Sequence, residues 1–161
     1  MNNNGWRVGL LALAVMLVGQ PLPVMAQAGK TVGANEQAAI NLSPDPAEFA
    51  KIALLIVNAV THGGAPQVWD ASSPVMKTIV SRDLFVQSMQ QRTASAGELK
   101  NLTWRSIIRV QMAQPQGQLP AGSYLSVAVS GVGSNNQQVV QTVSFHLDDD
   151  QRWRLIGISA S

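Results

Sequence analysis

The chain has 161 residues and a formal net charge of +2, with 11 Lys and Arg residues against 9 Asp and Glu residues. Its lysines lie far apart in the sequence, whereas a nucleic-acid-binding domain usually carries a large, clustered excess of cations. Cysteine is absent, which excludes disulfides, thiolate metal sites and lipid attachment at cysteine. The composition therefore predicts one domain held together by an apolar core, with no nucleic-acid partner.

Residues 1–28 have the pattern of a signal peptide. Arg7 precedes an apolar run at residues 8–18, which is shorter than the roughly 20 residues of a membrane-spanning helix. Ala26 and Ala28 then match the small-x-small pattern of a cleavage site. The sequence predicts cleavage after Ala28 or Ala26, a periplasmic or secreted location, and no stable membrane anchor after cleavage.

Residues 29–44 are small and polar without a clear period. They predict a flexible lead before a single domain at residues 45–161. Asp45 can cap a first helix that begins at Pro46 and ends near Thr61, where two glycines follow.

Three shorter helical segments are predicted next. One opens at Pro66, one begins at Ser73 and Pro74, and one is capped by Ser81 and stops near Gly97. The apolar residues of the last segment are expected to face the core: Leu84, Phe85, Val86 and Met89.

From residue 102 onward, apolar and polar residues alternate, which is typical of strands with one buried face. Four such segments are separated by turns at residues 115–122, 131–136 and 148–151. Helices followed by strands predict an α+β fold, with N-terminal helices packed on a curved four-stranded antiparallel sheet. The covered face of the first strand is predicted to carry Leu102, Trp104, Ile108, Val110 and Met112.

Several short motifs follow one another from residue 57 to the end of the chain. They are the tryptophan-centred segment 69–73, Arg92 followed by Gly97 and Arg105, the proline–glycine–tyrosine segment 120–124, and the strand segments 140–143 and 153–157. Their order resembles a bacterial family of exported proteins known as domain of unknown function 4019. The resemblance implies a cone-shaped fold like that of nuclear transport factor 2 and the cystatin-like superfamily, and it implies no activity or cofactor.

The two histidines, His62 and His146, are predicted to be non-catalytic. His62 lies at the C-terminal end of the first helix, where a solvated cap residue is expected. His146 shares a strand face with Ser144, but residues two positions apart on a strand lie about 7 Å apart, too far for a direct hydrogen bond. The sequence identifies no carboxylate that would orient the imidazole ring.

Asp148, Asp149 and Asp150 form the acidic cluster of the chain. A calcium-binding loop spaces its ligands at alternate positions and adds a later glutamate, and this run has neither feature. The cluster therefore predicts a solvated hairpin turn and no metal site.

Two groups of residues are candidates for binding. Tryptophans can line a ligand cavity or pack in the core, and those of the mature chain are Trp69, Trp104 and Trp153. Arginine and tyrosine are enriched in protein interfaces, although a solvated surface is the other interpretation. The possible interface residues on the sheet face away from the helices are Arg105, Arg109, Tyr124, His146, Arg152 and Arg154.

These observations predict an exported, non-catalytic binding domain without cofactors, whose partner is another envelope protein or a second copy of the chain. The alternative is a small-molecule-binding protein or an enzyme that uses a cavity between the helices and the sheet. Such an enzyme would need an acid or a base inside the cavity, and Asp70 and Asp83 are the only plausible carboxylates in the sequence.

Overall fold

The structure, a computed structural model, describes residues 45–160. The predicted signal peptide at residues 1–28 and the predicted lead at residues 29–44 lie outside the described residues. The described helices are α1 (Pro46–Thr61), α2 (Ala65–Asp70), α3 (Pro74–Ile79) and α4 (Arg82–Ala96). The described strands are β1 (Lys100–Met112), β2 (Gly122–Val132), β3 (Gln138–Leu147) and β4 (Trp153–Ala160). Within residues 45–160, none of the helices combines the length and the apolar character that crossing a membrane requires.

The starts of α1, α3 and α4 match the sequence prediction, whereas α2 begins at Ala65, one residue before the predicted Pro66. The Asp45 carboxylate accepts a hydrogen bond from the backbone of α1 at 2.9 Å, and Pro46 occupies the first helical position. The Ser73 and Ser81 hydroxyls accept backbone hydrogen bonds at the starts of α3 and α4, at 3.1 and 3.4 Å. Gly97 ends α4 with a φ of 72°, a left-handed conformation that favours glycine.

The four strands form one antiparallel sheet in the order β1-β2-β3-β4. The predicted α+β fold, with helices first and an antiparallel sheet after them, is confirmed. In this order each strand pairs with its neighbours in sequence, so β1 and β4 are the two edges of the described sheet.

The core lies between the helices and one face of the sheet. Leu125, Val127 and Val143 in the two central strands have no exposed surface. Phe145 packs edge-to-face on Phe49 of α1, with ring centroids 5.2 Å apart. The other main contributors to this core are Ala53, Val57, Met76, Phe85, Met89, Val129, Leu155 and Ile158.

One of the predicted core residues of α4 lies at the surface. Phe85 and Met89 are buried, as predicted, and Val86 is half-buried. Leu84 is 60% exposed, because the buried stripe of a helix follows residues three or four apart, and Phe85 and Met89 define that stripe. The prediction that Leu84 faces the core is wrong.

A β-bulge at Arg105 changes which side chains of β1 face the helices. Trp104 lies opposite Val129, but Ser106 lies opposite Ala128, so β1 has one extra residue between two paired positions. A bulge of this kind exchanges the faces of all the residues that follow it.

The residues of β1 after the bulge therefore lie on the face opposite to the predicted one. Ile108 is on the face away from the helices and is 59% exposed, and Val110 and Met112 share that face. Arg109 lies opposite the buried Leu125, on the helix side. The predicted faces of Ile108, Val110, Met112 and Arg109 are wrong.

Candidate functional site

A cluster of polar side chains is built at one end of the sheet, where the β3–β4 hairpin meets the α2–α3 connection. His146 and Arg154 lie directly opposite each other on β3 and β4. Asp148 follows the last residue of β3, and Ser73 is brought close because its backbone N–H donates to Leu155 O at 2.9 Å. We call Ser73, His146, Asp148, Asp150 and Arg154 the polar cluster.

Asp148 is the acceptor at the centre of the polar cluster. Its carboxylate accepts hydrogen bonds from Ser73 Oγ at 2.6 Å, from His146 Nδ1 at 2.9 Å and from Arg154 Nη1 at 2.8 Å. Asp148 is 6% exposed and Ser73 is fully buried. A buried carboxylate without such partners would be strongly destabilising, so these three donors explain why Asp148 can lie in the protein interior.

The same contacts set the ionisation of this carboxyl group. Burial acts to raise the pKa of Asp148, but the hydrogen bonds from Ser73, His146 and Arg154 outweigh burial, and the resulting pKa lies below the ordinary value. Asp148 is therefore ionised at neutral pH and can only accept hydrogen bonds. His146 must donate through Nδ1, which fixes the tautomer of the neutral ring.

Arg154 bridges two carboxylates. Besides its contact with Asp148, it donates to both oxygens of Asp150 at 2.8 and 2.7 Å, a two-pronged geometry that arginine makes well. The hydrogen bond from Arg154 lowers the pKa of Asp150 to about 2. The predicted solvated aspartate turn is therefore wrong for Asp148, which is buried, whereas Asp149 and Asp150 are exposed and Asp150 is also paired with Arg154.

His146 lines an open cleft, and its second nitrogen lies beside Gly122. The ring is 5% exposed and lies against Tyr124, with centroids 4.8 Å apart. A Cβ atom at Gly122 would lie 2.8 Å from Nε2, so this nitrogen is placed directly beside the glycine backbone. His146 and Gly122 line a cleft of about 770 Å³ between the β3–β4 turn, the α2–α3 connection and the start of β2.

The polar cluster lacks a serine nucleophile activated by histidine. Ser73 donates to Asp148 rather than to His146, and Ser144 pairs with Ser126 at 2.9 Å. Among residues 45–160, no hydrogen bond joins a serine hydroxyl to His146, and no group of three His, Asp or Glu side chains is placed to hold a metal ion. The arrangement can hold a buried charge and orient an imidazole.

Three of the six predicted interface residues lie apart from one another. Arg105 is exposed and its Nε donates to Ser130 Oγ at 2.9 Å. Arg109 lies on the helix side of the sheet because of the bulge. Arg152 is exposed and precedes the first residue of β4.

The other three predicted interface residues meet at the polar cluster. Tyr124 and His146 are 7% and 5% exposed, and the Tyr124 hydroxyl donates to Pro120 O at 2.7 Å. Arg154 is engaged with two carboxylates. The expectation that these side chains form an open polar surface is therefore wrong at this end of the sheet, because the β1–β2 loop and the aspartate turn supply their partners.

The three tryptophans have different surroundings. Trp69 is half-buried and its Nε1 donates to Val80 O at 3.2 Å. Trp104 lies on the helix side of edge strand β1 and is 52% exposed, so it does not pack in the core. Trp153 packs edge-to-face on Phe49 with ring centroids 5.4 Å apart, on the helix-covered face as predicted.

Trp153 also lines a second opening, which we call the apolar groove. This groove has a volume of about 480 Å³ and lies between α1, α2 and the sheet. Neither Trp69 nor Trp104 is part of its lining. The main apolar side chains along it are Phe49, Ile52, Ile56, Val68, Phe145, Trp153 and Leu155.

Sequence reasoning missed the link between His146 and Asp148. The two residues are separated by one position, and residues with this spacing lie about 7 Å apart only when both belong to a regular strand. Asp148 lies beyond the end of β3, and the turn brings its carboxylate back to the ring. A signal was present, since a hairpin around residues 148–151 places Arg154 opposite His146 and beside the aspartates.

The motif residues of the predicted family resemblance have structural roles. Arg92 Nη1 donates to Ile158 O at 2.9 Å and so links α4 to β4. Gly97 takes a positive φ, and a Cβ atom there would overlap the Ser134 side chain. These contacts explain why arginine and glycine suit positions 92 and 97 without any reference to catalysis.

Comparison with protein families gives a match over most of the described domain. The sequence profile of a family described as "Protein of unknown function (DUF4019)" matches residues 53–158. Neither the curated proteins nor the solved structures include one with significant similarity to the chain. The match spans more than half of the chain and runs from the second turn of α1 to Ile158 in β4. The chain therefore belongs to the DUF4019 family of proteins of unknown function.

Proposed function

We propose that this protein is an exported, non-catalytic binding module that pairs its edge strand β1 with an extended, acidic segment of another envelope protein. Adding a strand to an exposed sheet edge is a common mode of peptide recognition, in which backbone hydrogen bonds give affinity and side chains give specificity. The observation that carries the proposal is the length and exposure of β1.

Strand β1 has the features of an open edge. It is 13 residues long and, within residues 45–160, pairs with β2 alone. Trp104 and Ile108 are 52% and 59% exposed, and they lie on opposite faces of the strand. Soluble proteins usually protect long edge strands, so an uncovered edge with large apolar residues on both faces favours a partner strand.

The charge of β1 favours an acidic partner over a second copy of the chain. The strand contains Lys100, Arg105 and Arg109 and no Asp or Glu. A second copy would bring cations against cations, and like charges on paired strands are destabilising. A segment with glutamate or aspartate at alternate positions would place its carboxylates beside Lys100 and Arg105.

The state of the polar cluster supports binding rather than catalysis. Ser73, Asp148 and Arg154 use their hydrogen-bonding groups on one another. A catalytic site needs groups that are free to contact substrate, whereas these side chains hold the hairpin against the α2–α3 connection.

A charged substitution on β1 tests the proposed interface. Ile108→Glu should abolish recovery of native partners during purification from the envelope, because it places a carboxylate against an acidic strand. Leu84→Glu is the matched control, since Leu84 is 60% exposed on α4 and should not affect recovery. Circular dichroism should give the same folded signal for both variants, and equal partner recovery with Ile108→Glu would contradict the proposal.

Export is tested by the start of the mature protein. N-terminal sequencing of periplasmic material should give Gly29, because Ala26 and Ala28 supply the small residues that signal peptidase recognises. A start at Gln27 would shift the cleavage site and leave export intact. A full-length protein that stays with the membrane fraction would contradict cleavage.

A second candidate function rests on the apolar groove, whose size and lining match those of small-molecule sites. In this case the fluorescence of an apolar dye such as N-phenyl-1-naphthylamine should rise on binding. Ile52→Glu should remove that rise, because Ile52 is 40% exposed and lines the groove. Leu84→Glu should keep it. An equal rise with Ile52→Glu and wild-type protein would eliminate this function.

A further inference from the structure

We propose that the cleft beside the polar cluster binds a small organic cation, such as a primary amine, whose N–H groups donate to His146 Nε2 and to the Asp149 carboxylate. Gln111 near the end of β1 also lines this cleft, but the proposal does not depend on the function proposed for that strand. The proposal rests on a ring nitrogen of the largely buried His146 that has no hydrogen-bond partner among residues 45–160, on an unpaired carboxylate at the rim, and on the charge of the surrounding side chains.

The first observation is the second ring nitrogen of His146, Nε2. His146 is 5% exposed, and its Nδ1 is fixed as a donor by Asp148. None of the hydrogen bonds described for residues 45–160 uses Nε2, and no buried side-chain polar atom in that part of the chain lacks a partner. It follows that Nε2 has some exposed surface, on a residue that lines the cleft. In the neutral form of the ring this nitrogen presents a lone pair to a donor.

The rim of the cleft supplies a second acceptor. Asp149 lines the cleft, is exposed, and takes part in none of the ion pairs or hydrogen bonds of residues 45–160. Its neighbours Asp148 and Asp150 are held by Arg154, which leaves Asp149 as the carboxylate of this turn without a cationic partner.

The charges around the cleft favour a cation over an anion. Four carboxylates line it, against two cationic side chains, Lys77 and Arg154. One of these carboxylates, Asp70, is also paired at 3.0 Å with Arg82 outside the lining, so the excess of negative charge is small. Arg154 is occupied by two of the carboxylates, and Lys77 Nζ donates to Asp70 O at 2.7 Å. A cleft lined mainly by charge of one sign concentrates ligands of the opposite sign.

The shape and lining favour an organic ligand. The cleft volume of about 770 Å³ is large enough for a small molecule. Pro74, Val75, Pro120 and Leu147 give it apolar walls that can contact methylene groups. A diamine combines methylene groups with N–H donors at both ends and so fits the lining better than a bare metal ion.

Titration of the full chain with putrescine, followed by NMR, tests this site. The chain has two histidines, so the ring signals of His146 can be followed with those of His62 as an internal reference. Putrescine should shift the His146 ring signals saturably, whereas succinate, a dicarboxylate of the same carbon number, should not. Absence of a saturable shift with putrescine, or an equal shift with succinate, would overturn the proposal.

Two variants separate a specific site from general attraction to an acidic surface. Asp149→Asn should weaken putrescine binding about threefold, the scale of one exposed ion pair. Glu48→Gln removes an exposed carboxylate at the start of α1, outside the cleft lining, and should leave the affinity unchanged. Unchanged affinity in Asp149→Asn, or equal losses in the two variants, would overturn the proposal.

Discussion

Replacing Asp148 with alanine should lower the free energy of unfolding by about 3 kcal/mol. The substitution removes the shared acceptor of Ser73, His146 and Arg154 and leaves their donors without that partner at the end of the core. The expected loss is at the lower end of the range for breaking a buried ion pair, because Arg154 keeps its contacts with Asp150.

Urea denaturation followed by circular dichroism measures this loss. Asp149→Ala is the matched control on the same turn, and it should change the free energy of unfolding by less than about 0.5 kcal/mol, as is usual for an exposed residue without partners. Equal midpoints for the two variants would show that Asp148 does not hold the hairpin.

The low pKa of Asp148 adds a dependence on pH. Its pKa is below the ordinary value of 3.8 in the folded protein, so the stabilisation is fully present above that ordinary value and is lost as pH falls through the folded pKa. Wild-type protein should lose stability steeply below about pH 4. Asp148→Asn should show a shallower loss over the same pH range.

Replacing Phe145 with alanine should lower the free energy of unfolding by about 3–5 kcal/mol, the range for removing a buried aromatic side chain. Phe145 is 2% exposed and packs edge-to-face on Phe49 of α1. The cavity would lie where α1 meets the two central strands. A midpoint in urea close to that of wild type would contradict the position of the core.

The order of elements could be predicted from the sequence because its signals are local. Asp45, Ser73 and Ser81 cap helices within three residues of their own position, so each start is readable without knowledge of the fold. Alternation of apolar residues identified the four strands, and short turns between them indicated a meander. These signals depend on near neighbours in the chain.

The faces of β1 and the polar cluster could not be predicted because they depend on contacts between distant residues. The bulge at Arg105 is visible only in the pairing with β2. Its extra residue places Ile108 on the face away from the helices and Arg109 on the helix side, which is the reverse of the prediction. The hydrogen bond from Ser73 to Asp148 joins residues 75 positions apart. The hairpin places Arg154 beside the aspartates, but it does not indicate that Asp148 is buried.

The most direct test of strand addition at β1 is a titration of the full chain with two short peptides, followed by amide NMR. An alternating glutamate–valine peptide should shift the backbone amides of residues 100–112 saturably, because it supplies a strand whose carboxylates face Lys100 and Arg105. A lysine–valine peptide of equal length should leave those amides unchanged. No shift in β1 with the acidic peptide, or equal shifts with both, would contradict the account.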